Sequence, residues 1–396
     1  MSKYNKLFYS LSFFYLSYFF IFPLFISLKY EGVEFASYYF LIDDYSRRLV
    51  LMATPFFIFG FVSYDFFKSI FLKKEKVVSF SGRYNENKIG IIVNFLLCVY
   101  FSYILLNLLD SGRAEYVYSV RSGEADSNLL DFFFSQLMSA FKFVCLVLLL
   151  ILNRKKMASV LIIITLISLL LTGGGRFNIL LHFLVLLVVL FKLNDFKLSI
   201  ILYISFPFFI PFMFVLKAIV FSISSGNFFD YLDNIDFGFA FQSYITNFGH
   251  PFISMLEVDR TIEIVGYRYF YDFIQGFLFY FKLIGFDFGD SITYFNTESL
   301  INRRESIIPP GYLAMGYVQL GFLGVYFSGW LYRMIGLIGE NIIRLSEVDN
   351  NSINFFVAFV MANSFYHGDV RIMVMSIFFP VLLLLLILRF SRLGER

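Results

Sequence analysis

Charged side chains are scarce: Asp, Glu, Lys and Arg make up 15% of the 396 residues, against about 25% in a soluble globular domain. Cysteine is nearly absent. Cys98 and Cys145 lie inside apolar runs and form neither a metal spacing nor a disulfide framework. There are only three histidines, with no metal-spaced cluster, so neither a metal nor a cofactor is implied. A single Trp stands against 58 Phe and 27 Tyr, a bias that reads as lipid-facing bulk. What fills the chain is apolar, 59% of it, in runs of 15 to 25 residues. Each run approaches the roughly 20 residues that cross about 30 Å of hydrocarbon as a helix. Soluble globular, disordered and nucleic-acid-binding proteins are excluded, and nucleic acid is not an expected partner. A β-barrel is excluded as well, because the runs do not alternate apolar and polar residues.

The sequence predicts an all-α polytopic membrane protein of about ten (10–12) spans, near 7–28, 49–71, 89–109, 130–152, 157–172, 176–191, 198–221, 312–336, 353–366 and 372–388. The fifth, sixth and ninth are short. The first follows Lys3 and Lys6 like a signal peptide but has no small-residue cleavage site, so a retained span is expected. The divisions are an N-terminal transmembrane bundle over 1–221, a large exported loop with amphipathic helices over 222–311, and C-terminal transmembrane helices over 312–396.

Lys and Arg in short loops set orientation. Alternate loops hold Lys73, Lys74, Lys76, Arg83 and Lys88, then Arg154, Lys155 and Lys156, then Lys192 and Lys197, and the tail holds Arg389, Arg392 and Arg396. These loops and both termini are expected in the cytoplasm. Segments 29–48, 110–129, 173–175, 222–311 and 367–371 are then exported. Lysine concentrates inside, whereas ten arginines fall outside: Arg47, Arg48, Arg113, Arg121, Arg176, Arg260, Arg268, Arg303, Arg304 and Arg371. A guanidinium fork grips phosphate or carboxylate with two bonds. Exported arginines therefore point to an anionic ligand or to pairing with exported carboxylates.

The long exported segment is too long for a connector and is the expected seat of function. Within it, 264–286 is apolar enough to pass for a span. Arg268, Asp272, Gln275 and Lys282 share one helical face, however, so an amphipathic helix along the outer membrane surface is expected. Asp230, Asp233 and Asp236 recur at every third residue, a pattern shared by first-turn helix acids and oxygen-ligand cation sites. His182 reads as a packing residue inside a span. His250 (NFGHP) and His367 (YHGDVR) are exported, and an exported His can act as a general base. Gly173, Gly174, Gly175 and Arg176 form a tight turn that exposes backbone at the bundle mouth. Arg303, Arg304 and Glu305 precede Pro309, Pro310 and Gly311, which open a helix whose N-terminus attracts anions. His367, Asp369 and Arg371 crowd the tightest exported turn. The intramembrane charges Asp65, Lys68, Lys142 and Lys217 are few, and no two matching halves are visible, which disfavours a transporter.

At TGGGRF (172–177), the large loop before the eighth span, and IPPGYLAMGYVQLGFLGVY (308–326), the sequence resembles the bacterial O-antigen polymerases of the Wzy type, which join oligosaccharide repeat units. Length, span number and cytoplasmic ends extend the resemblance over nearly the whole chain. It implies a C-type glycosyltransferase-like architecture, related to O-antigen ligases, in the bacterial inner membrane with its site on the periplasmic face. The implied reaction transfers a growing glycan from undecaprenyl pyrophosphate to a hydroxyl of an incoming lipid-linked repeat unit, without metal or cofactor. Ligase and lipid-linked oligosaccharide flippase or transporter are the alternatives. Implied partners are undecaprenyl-pyrophosphate-linked oligosaccharides, membrane lipids and a chain-length regulator protein. Arg176, Arg260, Arg268, Arg303, Arg304 and Arg371 are the pyrophosphate-binding candidates, with Gly173–Gly175 as the backbone turn. Relatives carry a histidine motif just before the helix that opens here with Pro309 and Pro310. This chain has none there, so the base stays open among His250, Glu305, His367 and Asp369.

Overall fold

The computed structural model describes residues 2–28, 32–35, 38–71, 84–110, 112, 113, 116, 129–172, 176–191, 249–279, 281, 285, 286, 288–303, 308–346 and 351–392. The chain is a mostly helical, membrane-embedded protein. Nine of the ten predicted runs fall on helices, and 198–221 lies outside the described residues. Among the described residues six stretches are long and apolar enough to cross a membrane, at 3–25, 44–70, 86–109, 133–151, 311–346 and 370–391. In chain order the first helices are α1 (3–27), α2 (Asp44–Phe71), α3 (Glu86–Leu109), α4 (Leu129–Ile151), α5 (Lys155–Leu171) and α6 (Arg176–Phe191). The expectation of helices alone misses one feature. Strands β1 (Gly32–Phe35) and β2 (Tyr38–Leu41) pair antiparallel between α1 and α2, Gly32 opposite Leu41, and bury Val33, Phe35 and Phe40.

Among the described residues two spans carry a π-helical turn, and proline explains both. In α1 the turn Ser17–Ile21 immediately precedes Phe22 and Pro23. In α14 (370–392) the turn Val374–Phe378 precedes Phe379 and Pro380. Proline offers no N–H and its ring presses on the carbonyl four residues back, so one wider turn relieves the clash without ending the helix.

The core is built around α1, whose Leu7, Phe8, Leu11, Tyr18 and Phe19 are buried among the surrounding helices. Lipid offers no hydrophobic drive between spans, so close packing must hold them, and small residues permit it. A Cβ at Gly60 of α2 would lie 2.0 Å from the Tyr326 carbonyl oxygen, and one at Gly329 would lie 2.3 Å from that of Phe57. Beside this contact Trp330 Nε1 donates to Ser63 Oγ (2.9 Å) and to Tyr326 Oη (3.0 Å). Gly60→Ala is expected to lower the melting temperature of the solubilised protein by several degrees, as read by a thermal-shift assay. An unchanged midpoint would show that the backbones need not touch.

The predicted span 312–336 is two helices. Leu320 (φ −157°, ψ 35°) and Gly321 (φ +59°) break it, leaving α11 (311–319) and α12 (322–346). The chain reverses sharply, because a Cβ on Gly324 would lie 2.0 Å from the Gly316 carbonyl oxygen. The long helix is therefore α12, and α11 is buried along its whole length. The predicted amphipathic helix 264–286 is likewise divided. α8 (Val258–Val265) stops at Gly266 (φ +73°), Tyr269 and Phe270 take left-handed conformations, and α9 (Tyr271–Leu278) follows. Lys282 lies outside the described residues. The polar face of α9 (Asp272, Gln275) is its buried one, and Tyr271, Ile274 and Phe277 are exposed.

Inside the bundle Arg333, 3% exposed, donates from Nε to Asp65 Oδ2 (2.9 Å). Tyr9 Oη donates to the same oxygen, and the guanidinium lies 5.1 Å from the Tyr9 ring centre. The pair staples α1, α2 and α12 together. At one end of the bundle Asn5 Nδ2 donates to Glu340 (2.7 Å) and Tyr84 to the Leu345 carbonyl. α8, α9 and α11 lie at the other end.

Candidate functional site

Four separated stretches of sequence converge at that end. α7 (His250–Leu256) is buried throughout, with Pro251 in its first turn. His250, 7% exposed, meets the Tyr366 ring edge-on at 4.3 Å between centroids. Burial pushes its pKa down to about 3. The neighbouring His367 acts in the same direction and the Pro309 carbonyl opposes both. The ring is consequently neutral at physiological pH. Gly311 (φ +74°) begins α11 where a Cβ would lie 2.7 Å from Pro251 Cβ. Gly368 (φ +55°), which follows α13 (Asn351–His367), crosses it so closely that a Cβ there would lie 2.1 Å from the Gly311 carbonyl carbon. The HP, PPG and HG segments therefore share one backbone crossing.

Asp369 caps α14 and is 1% exposed. Its Oδ1 accepts from Arg371 N (2.8 Å). Its Oδ2 accepts from Arg371 Nη2 (3.3 Å), Ser291 Oγ (3.3 Å) and Thr293 Oγ1. Arg371 lies over the rings of Phe279 (5.0 Å) and Tyr294 (5.8 Å). A carboxylate with four donors around it is fixed in place, which suits positioning better than proton transfer.

Asp272 is a second hub. It accepts two bonds from Arg268 (3.1 and 3.0 Å), one from Ile292 N (3.0 Å) and one from Gln319 Nε2 (2.8 Å). Residues 291–293 are thus gripped between the two Arg–Asp pairs. Arg268 N and Tyr269 N donate to the carbonyls of Val318 (3.0 Å) and Gln319 (3.1 Å), capping the C-terminus of α11. α10 (Ile292–Ile301) completes the frame. Its Asn296 Nδ2 donates to Ser254 Oγ (3.0 Å) and the Ile308 carbonyl (2.8 Å), and Ile308 N donates to Thr297 Oγ1 (3.0 Å). The chain ahead of Pro309 is thereby strapped to α10.

Of the residues singled out in the sequence, His250, His367, Asp369 and Arg371 come together, and residues 291–293 link them to Arg268. Arg260 does not join them. Its Nη2 donates to Asn302 Oδ1 (2.8 Å) at the far end of α10. That is about 13 Å along the axis from Thr293 at 1.5 Å per residue. Arg303 is exposed beside Asn302. Arg176 opens α6. Gly173, Gly174, Gly175, Arg304 and Glu305 lie outside the described residues, as do Lys217 and the aspartates at 230, 233 and 236. Arg268 and Arg371 are each matched by a buried carboxylate, so the convergence point presents oriented N–H donors with little net positive charge. Asp272, Ser291, Thr293 and Gln319 carry no signature in the sequence beyond the helical spacing of Arg268 and Asp272. No model of a protein family, no characterised protein and no solved structure matches this chain.

Proposed function

We propose that the chain is an O-antigen polymerase of the bacterial inner membrane, with both termini cytoplasmic and its site on the periplasmic face. The supporting observation is that GHP, PPG and HGDVR, far apart in sequence, meet at the end of the bundle away from residues 5 and 340. In the proposed reaction an acceptor sugar hydroxyl attacks the anomeric carbon of the lipid-linked donor glycan. The C–O bond to undecaprenyl pyrophosphate breaks, and its electron pair leaves on the pyrophosphate. The hydroxyl proton passes to a base, for which neutral His250 and His367 are the best-placed described groups. Arg371 directs donors toward the leaving pyrophosphate, and Arg260 and Arg303 add positive charge at the far end of α10. A chain-length regulator would act with it.

The test is a deletion strain. Loss of a polymerase leaves single repeats on lipid A–core, whereas loss of a ligase or flippase leaves none. His250→Ala and His367→Ala, expressed at normal level in that strain, are expected to lower polymer synthesis by about 10²-fold for the residue acting as base. Full-length chains from both variants would remove the histidines from the reaction. A flippase is the second reading, favoured by the buried Arg333–Asp65 pair, because ionisable residues inside a membrane bundle commonly serve transport.

A further inference from the structure

On the same end of the protein, away from the Arg371 cluster, a tyrosine-lined acidic surface is formed by the start of α2, the start of α8, the break after α8, and α11. Tyr45, in the first turn of α2, donates from Oη to Asp259 Oδ2 (2.9 Å) and is 59% exposed. Tyr267 is 44% exposed, and its ring lies 6.3 Å from that of Tyr269. Beneath them Tyr317 of α11 is 9% exposed, and its electrostatic neighbours are Asp259, Tyr45 and Tyr267. Glu257 is half-buried, and burial raises its carboxyl pKa, with Arg260 opposing and Asp43 adding to the rise.

The geometry points to a binding site for one sugar ring of a neutral or amino-substituted oligosaccharide, which rests on the polymerase reading above. Tyrosine offers a flat apolar face to the C–H side of a pyranose and a polar tip to its hydroxyls. Asp259 and Glu257 are acceptors that sugar hydroxyls satisfy. Charge sets the class of sugar. Asp43, Asp44, Glu257 and Asp259 outnumber Arg47 and Arg260 here, so uronic-acid rings and anionic lipid headgroups are repelled. That repulsion also separates this surface from an ordinary belt of interfacial tyrosines, which sits among headgroups.

Saturation-transfer NMR on the full chain in nanodiscs tests the assignment. The probes are the lipid-free repeat-unit oligosaccharide released from the producing cell's own surface polysaccharide and a galacturonate trimer. Transfer to ring protons of the former and none to the latter is expected. Tyr267→Ala and Asp259→Asn should each weaken binding roughly tenfold, about one aromatic contact or one hydrogen bond to a charged group. Tyr267→Phe, which keeps the ring, should bind like the wild type and shows that the site is folded. Wild-type binding by Tyr267→Ala and Asp259→Asn, or equal binding of the galacturonate trimer, overturns the proposal. If the oligosaccharide binds as expected while the deletion strain still makes full-length chains, the surface is a glycan site on a chain that is no polymerase. The converse leaves polymerisation with its glycan held elsewhere.

Discussion

Gly368→Ala is expected to abolish long O-chains while the protein still inserts in the membrane. Two penalties combine at this position. A left-handed φ of +55° disfavours any side chain, by roughly 1–2 kcal/mol. The added methyl would also lie 2.1 Å from the carbonyl carbon of Gly311 and 2.3 Å from its oxygen. Backbone cannot swing aside as a flexible side chain does, so α11 must move. It has little room, because Gly311 already abuts Pro251, and the end of α11 is bonded to Arg268, Tyr269 and Asp272. Gly266→Ala separates the two penalties. Gly266 has φ +73° and ψ −176° but no atom within 4 Å of an added Cβ, so only backbone strain applies, about 1–3 kcal/mol, and near-normal chains are expected. Polymer ladders from the two variants at equal protein level make the comparison. Equal ladders would mean that the crossing of the HG and PPG segments does not shape the site.

Much of the bundle is legible in the sequence, since a span announces itself through twenty apolar residues whatever surrounds it. The short helices α5, α6 and α13 match runs already short in sequence. What stays hidden is conformation inside an apolar run. Nothing in VQLGFLG shows that Leu320 and Gly321 leave the helix, because hydropathy has no term for φ, and the preceding segment is as apolar as any span. The same limit divides 264–286. The face shared by Arg268, Asp272 and Gln275 is real, but on α9 it turns inward to a polar frame that periodicity alone cannot place. Arg333 lies in an expected span and draws no notice in sequence, although its partner Asp65 does. Only packing of α2 against α12 joins them. In the site, HP, PPG and HGDVR are recognisable as motifs in loops beside predicted spans, whereas Ser291 and Thr293 acquire meaning only once Asp369 is beside them.

The Asp369–Arg371 pair allows structure and chemistry to be told apart. Asp369→Ala removes the carboxylate paired with a guanidinium side chain that is 8% exposed. Breaking a buried pair from one side typically destabilises by about 3–5 kcal/mol. The variant should therefore melt well below the wild type and make no polymer, which by itself says nothing about mechanism. Asp369→Ala combined with Arg371→Met removes both charges and leaves an apolar side chain among Phe279, Tyr294 and Val370. Replacing a whole buried pair by apolar groups is often neutral or stabilising, so the double variant is expected to recover most of the melting temperature. The two readings of Arg371 then diverge. As a mere staple, its loss together with its partner should restore the ladder along with stability. As a donor to the leaving pyrophosphate, its loss keeps synthesis down by about 10²–10³-fold, the usual effect of removing one preorganised contact to developing charge. Thermal shift in nanodiscs and polymer banding, measured on the same three proteins, decide between them. A stable double variant with a full ladder would remove Arg371 from the pyrophosphate site.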